Sequence, residues 1–448
     1  MSLVLNCVYL IALIAASPWM LYTAITKGKY RQGWTHKLFG IVPKRIGEAP
    51  CVWLHGVSVG EINVLAAIAP RLKDSFPEFE IVVSSTTRTG FELAKKRFAH
   101  HSVFYCPFDF SWAVRNVLRR VRPDVIVLGE LELWPNLVRI ADAQSIDVAV
   151  VNGRLSQNSF RGYQRILPLI RSVLRRIRVI AAQSDEYASR FVALGARQEA
   201  VFVTGSTKFD GAETDRTNSR TAALARIAGL TDQDCVFLAG STQAPEEQFA
   251  INAFRALCDE FPALKLIIVP RHPERFNEVA RSLDETSLDW RRRSELCDSR
   301  PMASHIRVLL IDTIGELGDW WGTAEYCFVG GSMGDRGGQN MIEPAAYGSS
   351  VSFGPNTKNF RDVVQLMLAA DAATVVRNGL ELTEFLRRRL ENSDEHQGYC
   401  ERSCALMRQN AGATDRTIEC LSALFHRRIS VPLPLPNSST APIRSRNA

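Results

Sequence analysis

The sequence predicts an α/β protein: two doubly wound, Rossmann-like halves behind an N-terminal membrane-anchor helix. Three observations carry this. Short apolar segments alternate with stretches of helical periodicity, and they are continuously apolar, as parallel strands covered on both faces are. The pattern stops near residue 210 and then begins again. Ahead of it, Leu3 to Ile25 is almost wholly apolar, a length that suits a bilayer span or a deeply embedded helix.

In the first half, strands are expected at Cys51–His55, Ile81–Ser84, Val103–Tyr105, Val125–Leu128, Val148–Val151, Val179–Ala182 and Val201–Thr204. Helices are expected at Ile62–Lys73, Gly90–Phe98 and Ala113–Arg120. The polar segment Asp210–Arg220 separates this half from a second series at Val236–Ala239, Leu266–Val269, Val308–Ile311, Tyr326–Val329 and Val351–Phe353. The expected domains are therefore an anchor (1–26), an N-terminal domain (27–210), a C-terminal domain (211–430) and a Pro- and Ser-rich disordered tail (431–448). In doubly wound sheets ligands sit at the C-terminal strand ends, so a cleft between two facing halves is the expected site.

The apolar run is followed by Lys27, Lys29, Arg31 and Lys37. A cleaved signal carries its positive charges before the apolar stretch, so this one reads as a retained anchor with the body on the cytoplasmic side. The chain has 448 residues, 46% hydrophobic and 23% charged, and a formal net charge of +7. That excess suits an anionic membrane surface or an anionic substrate. No aromatic-interleaved basic motif accompanies it, so nucleic acid is not the expected partner. The ten cysteines are scattered without a CxxC pair, which reads as a reducing compartment without structural zinc.

The segments with chemical character follow strands. Val52–Glu61 (VWLHGVSVGE) places Glu61 at a helix start. Residues 56–60 also spell the G-x-S-x-G of a nucleophile elbow. That motif normally follows several strands and an oxyanion loop, whereas only an anchor and a linker precede it here. Glu61 remains, as a helix-dipole carboxylate or a general base. Leu128–Asn136 (LGELELWPN) ends a strand in Glu130 and Glu132. They are either two solvated loop glutamates or a like-charge pair in a partly desolvated cleft, which raises one pKa toward the range useful for acid/base work.

In the second half, LAGSTQAPEE (238–247) runs a strand into Ser241 and Thr242, a candidate phosphate contact. VPRHPER (269–275) sets Arg271 and His272 between prolines, as suits an anion or base-ring contact. DTIGEL (312–317) supplies Gly315 and Glu316. The stretch FVGGSMGDRGGQNMIEP (328–344) breaks a strand into a glycine-rich loop, with a helix expected to open at Asn340. Gly330, Gly331 and Asn340 there have the character of a phosphate grip. Glu343 is either a capping partner of Asn340 or an acceptor for sugar hydroxyls.

Together these segments resemble the Kdo (3-deoxy-D-manno-octulosonic acid) transferases of lipopolysaccharide synthesis, which have the two-domain GT-B glycosyltransferase fold. The resemblance runs from the anchor to about Leu424, through HGVSVGE (55–61), SSTTRTG (84–90), PFD (107–109), ELELWPN (130–136), VNGRLSQNSF (151–160), GSTKFD (205–210), PRHPERF (270–276), DTIGEL (312–317) and GGSMGDRGGQN (330–340). It implies transfer of Kdo from CMP-Kdo to a lipid A precursor (lipid IVA-like) at the inner membrane, with inversion at the anomeric carbon. It further implies that Glu61 is the general base, with an essential acidic role at Glu130 or Glu132. The nucleotide is then expected on Arg271, Gly315, Glu316, the 330–340 loop and Glu343, and Lys208 on the donor's carboxylate or phosphate.

No DxD-like pair stands beside the nucleotide segments, so no metal and no cofactor are expected; the partners are CMP-Kdo, the lipid A precursor and inner-membrane lipids. Two positions depart from the family: Gln243 and Gln339 stand where it usually has His. Glutamine hydrogen-bonds but cannot take up a charge. The competing readings are another membrane-associated GT-B glycosyltransferase with a different nucleotide sugar, a nucleotide-sugar epimerase of the same shape, and a membrane-bound scaffold.

Overall fold

The computed structural model describes residues 2–27 and 33–429; Lys29, Arg31 and the tail 431–448 lie outside them. The described residues fold as two compact units, one of residues up to 210 together with 411–429, the other of residues 211–410.

The first unit holds seven strands: β1 (Cys51–His55), β2 (Glu80–Ser85), β3 (Ser102–Tyr105), β4 (Val125–Gly129), β5 (Asp147–Gly153), β6 (Val179–Ala182) and β7 (Val201–Val203). They pair in the order β3-β2-β1-β4-β5-β6-β7, and every pairing is parallel. The chain winds outward from β1 to β3, then returns to β4 at β1's other side. The order reverses between β1 and β4, which is the crevice where doubly wound sheets take ligands. Both faces are covered: Trp53, Ile126 and Leu128 belong to one core layer, Val52, Leu54 and Val127 to the other.

The second unit repeats the plan with β8 (Cys235–Thr242), β9 (Leu264–Pro270), β10 (Trp290–Arg292), β11 (Val308–Leu310), β12 (Tyr326–Val329), β13 (Ser350–Phe353) and β14 (Thr374–Val375). Their order is β10-β11-β9-β8-β12-β13-β14, again wholly parallel. Its order reverses between β8 and β12. The expected α/β class, doubly wound twice, is what the chain adopts.

The sequence did not indicate β10 and β14, short strands at the two sheet edges. One further difference concerns the C-terminal boundary. The helix Ala413–Ile429 belongs to the first unit, not to the span 211–430 expected for the second. Its Ile418, Leu421, Leu424 and Phe425 complete the core layer of Val52 and Leu54, and Phe425 stacks on Phe76 at 4.8 Å. Burying four large apolar side chains there is worth roughly 1.5–3 kcal/mol each.

The first helix, Ser2–Lys27, contains a stretch, Ser2–Thr23, long and apolar enough to cross a membrane. Leu3, Ile11, Ile14, Trp19 and Ile25 are each more than 60% exposed.

Candidate functional site

In the first unit the two loops at the reversal point carry the acidic residues. After β1 the chain turns into the helix Val59–Ser75, with Ser58 as its N-cap. The Glu61 amide donates to Ser58 Oγ at 3.5 Å, and the Ser58 hydroxyl donates to Glu61 Oε1 at 2.8 Å. The Val57 amide donates to Glu61 Oε2 at 2.7 Å. The S-x-x-E of this segment is thus a capping box, and Ser58 serves a carboxylate rather than a histidine base, against a nucleophile elbow.

Glu61 is only 6% exposed. Burial raises its pKa, the Val57 and Ser58 hydrogen bonds oppose that, and the Glu130 charge adds to it. Two glycines make the room. A Cβ on Gly56 would lie 3.0 Å from Glu61 Cβ, and one on Gly129, at the end of β4, 3.5 Å from it.

Glu130 follows β4 with φ at 54°, a left-handed conformation that costs a non-glycine residue of order 1 kcal/mol. Its amide donates to Val151 O of β5 at 2.9 Å, and its Oε1 lies 3.6 Å from Lys208 Nζ. Lys208 therefore meets an acidic residue of its own unit. Glu132 is pushed up to about 7, by burial first and then by the charges of Glu61 and Glu130. Three carboxylates thus interact around one strand reversal, and the environment raises the pKa of Glu61 and of Glu132, an arrangement from which acid and base roles are drawn.

Around them are buried polar atoms that find no hydrogen-bond partner among the described residues: His55 Nε2, Thr86 Oγ1, Asn152 Nδ2 and Thr207 Oγ1. They sit at the C-terminal ends of β1, β2 and β5 and just after β7. An orphaned buried polar group costs about 1–3 kcal/mol. Four at the ligand end of one sheet fit a place built for a polar ligand. His55 and Asn152 carried no signal in the sequence beyond their position at strand ends; Asn152 shares with Glu130 a left-handed φ of 54°.

In the second unit the loops after β8 and β12 again meet at the reversal. The glycine-rich loop differs from expectation. The amides of Gly331, Ser332 and Met333 donate to the Glu246 carboxylate at 2.7, 2.9 and 2.9 Å, and the Gln243 amide adds a fourth bond at 2.9 Å. The Gly330 amide donates to Gly240 O at 2.9 Å. Neither Gly330 nor Gly331 has its amide free for a phosphate, because a carboxylate of the same chain and the neighbouring strand already take them. Glycine is needed at 330 for a packing reason: a Cβ there would lie 2.6 Å from Thr242 Cα. The sequence reading missed Glu246, whose signal was a carboxylate opening the helix Glu246–Leu257 beside the Gly-Ser-Thr turn.

Ser241 has φ at 55°, and Thr242 is buried with its hydroxyl 3.4 Å from Val269 O. The Arg271 amide donates to Thr242 O at 3.0 Å, which places the exposed Arg271 and the half-buried His272 at the end of β9 beside that turn. Glu343 has its pKa raised by burial, with the Asn340 hydrogen bond and the Arg271 charge opposing. Asn340 Nδ2 donates to Glu343 Oε1 at 2.9 Å, and Asn340 Oδ1 accepts the Ile342 amide at 3.1 Å. The short helix there is Ile342–Ala346, two residues later than expected.

Glu316 is engaged within its own segment. It accepts from Thr313 Oγ1 at 2.6 Å, Arg293 Nη2 at 3.0 Å and Trp320 Nε1 at 3.3 Å. Gly315 has φ at +93° and open space where a Cβ would stand, so a ligand can approach the backbone closely there. The side-chain amides of Gln243 and Gln339 flank Gly331, 3.6 and 3.2 Å from where its Cβ would be. The two departures from the family pattern are neighbours. Among the described residues no group of three or more His, Cys, Asp or Glu is placed to hold a metal.

Residues 32–211 match the family described as 3-deoxy-D-manno-octulosonic-acid transferase (kdotransferase). The 3-deoxy-D-manno-octulosonic acid transferase of Bordetella pertussis is 32% identical over 435 residues, covering 92% of this chain and 98% of its own. That of Haemophilus influenzae is 30% identical over 396 residues, covering 86% of this chain and 90% of its own. Among solved structures, a UDP-N-acetylglucosamine 2-epimerase superposes with a TM-score of 0.54 at 16% identity, covering 88% of this chain and all of that one. That likeness speaks for the GT-B-like fold alone.

Proposed function

The chain belongs to the Kdo transferase family, and we propose that it moves Kdo from CMP-Kdo to a lipid IVA-like lipid A precursor, with inversion and with Glu61 as general base. The observation that carries the reading is the buried Glu61, held at the β1–β4 reversal by two hydrogen bonds and neighboured by two further carboxylates.

In the proposed reaction an acceptor hydroxyl gives its proton to a Glu61 carboxylate oxygen while its oxygen forms a bond to the anomeric carbon. The bond from that carbon to the CMP phosphate oxygen breaks, and the electron pair leaves with CMP. Burial makes Glu61 a stronger base than a surface glutamate. Glu132, near half-protonated at neutral pH, accepts or returns the proton afterwards. The orphaned His55 Nε2, Asn152 Nδ2 and Thr207 Oγ1 are groups that acceptor hydroxyls can satisfy.

The donor falls to the second unit. Arg271, beside the Ser241–Thr242 turn, counters the charge gathering on the departing phosphate. Glu343 accepts from sugar hydroxyls, and Gly315 lets the nucleotide approach the backbone. No metal or other cofactor is required in this scheme. The exposed apolar side of Ser2–Lys27 holds the enzyme in the inner membrane, on its cytoplasmic face, where the acceptor is embedded.

Incubating the full chain with CMP-Kdo and a tetraacylated lipid A precursor, and weighing the lipid, tests this. Mass increments of one or more Kdo units are expected. Absence of product from protein that binds CMP would overturn the donor–acceptor assignment. It would favour another nucleotide sugar, a reading to which the Gln243–Gln339 pair at Gly331 lends weight.

A further inference from the structure

Two of the polar side chains in the apolar first helix, Asn6 and Tyr9, are spent on the body of the first unit, whereas Ser17, Thr23 and Thr26 bond to carbonyls of the helix itself. Asn6 Nδ2 donates to Ser111 Oγ at 2.8 Å, and Asn6 Oδ1 accepts the Ser111 amide at 2.9 Å and Asn136 Nδ2 at 3.3 Å. One turn later, the Tyr9 hydroxyl donates to Asp109 Oδ2 at 3.0 Å, and the Tyr9 ring meets Phe110 edge-on at 6.2 Å. Asp109 in turn accepts the Asn136 amide (2.8 Å) and the Leu137 amide (2.8 Å), and its carbonyl takes Asn136 Nδ2 at 2.6 Å. Asp109, Ser111 and Asn136 are all buried. Asn136 and Leu137 begin the helix Pro135–Ala143, and the five residues before that helix carry Glu130 and Glu132. A helix that only needed to sit in lipid would lose nothing by being apolar throughout, since each polar group in it opposes insertion.

We propose that the first helix is a working part of the acidic site. Asn6 and Tyr9 are positioning residues that, through Asp109 and Asn136, fix the start of helix Pro135–Ala143 and with it the Glu130–Trp134 segment. This rests on the catalytic reading above. Asn136 spans the latch: one end of its amide group reaches both Asn6 and the Asp109 carbonyl, while its backbone binds the Asp109 carboxylate. Removing Asn6 and the Tyr9 hydroxyl takes the Asn6 partner from the buried Ser111 amide and hydroxyl and one donor from Asp109, where the acidic segment is pinned.

Asn6→Leu and Tyr9→Phe separate latch from anchor, because both make the helix more apolar. The full chain on vesicles of anionic phospholipid, carrying either change or both, should float with the vesicles as the wild type does and keep its CMP-induced thermal shift. The Asn136 and Leu137 amides should exchange hydrogen faster. The rate at saturating CMP-Kdo and lipid A precursor should fall on the order of 10- to 100-fold, as small misplacements of catalytic groups do. Ile11→Ser, on the exposed side, should float less and yet transfer normally to detergent-dispersed acceptor. Full turnover in the double variant, or unchanged exchange at Asn136 and Leu137, would overturn the proposal. A wild-type protein that transfers no Kdo would instead sink the catalytic reading, and the exchange data would still decide the latch.

Discussion

Glu132 is a carboxylate that the fold holds at a cost, and Glu132→Gln should expose that cost as a pH-dependent gain in stability. In the unfolded chain the group titrates near its ordinary value of 4.5; in the folded unit, burial and the Glu61 and Glu130 charges push it up to about 7. Between those values the folded state keeps a proton that the unfolded state gives up. Stability from this group is therefore fully present below about 4.5 and is lost as pH rises through 7. At 1.36 kcal/mol per pKa unit the unscreened loss is somewhat above ~3 kcal/mol, and screening of a partly open side chain trims it to about 1–2 kcal/mol. Glutamine never ionises, so the variant escapes the loss. Its melting temperature should exceed the wild type's by roughly 2–8 °C at pH 8 and differ little at pH 5, given about 2–4 °C per kcal/mol for a unit of this size. Thermal melts by calorimetry at the two pH values measure it. Kdo transfer should fall in the same variant, the usual trade between stability and a strained site. A gain no larger at pH 8 than at pH 5 would refute the reasoning.

Three further outcomes follow from the site. Glu246→Gln trades a carboxylate that accepts four amides for a neutral group that places a donor among donors; it should lower stability by on the order of 2–4 kcal/mol and weaken CMP binding in titration calorimetry. Arg271→Ala should raise the KM for CMP-Kdo about 10- to 100-fold with a smaller effect on the acceptor KM; equal effects on both would remove Arg271 from the donor site. Transfer should survive exhaustive chelation, and loss of activity restored by an added divalent cation would overturn the metal-free scheme.

Much of the fold could be read locally because parallel strands buried on both faces are continuous apolar runs, as CVWLH, VIVLG and YCFV are. β10 was not legible: Trp-Arg-Arg at a sheet edge is half exposed, and edge position is decided by neighbours rather than by composition. β14 is two residues long and leaves no periodicity to see. The return of Ala413–Ile429 to the first unit was equally hidden, since Ile418, Leu421 and Phe425 would suit any apolar core. At the site, the place of Glu61 at a helix start was legible because strand, loop and helix follow one another within ten residues. The capture of the Gly331–Met333 amides by Glu246 was not, because it joins residues 85 to 87 positions apart. There the glycine-rich loop, legible as a phosphate grip, proved to be gripping the protein itself.

In the proposed reaction Glu61 accepts the acceptor's proton during Kdo transfer. Single-turnover transfer from CMP-Kdo to the tetraacylated lipid A precursor, wild type beside Glu61→Gln and read by product mass, tests it most directly. Kdo-bearing lipid is expected from the wild type and a rate lower by about 10²- to 10⁴-fold from the variant, with CMP binding and fold retained. A variant that transfers Kdo at the wild-type rate would contradict it.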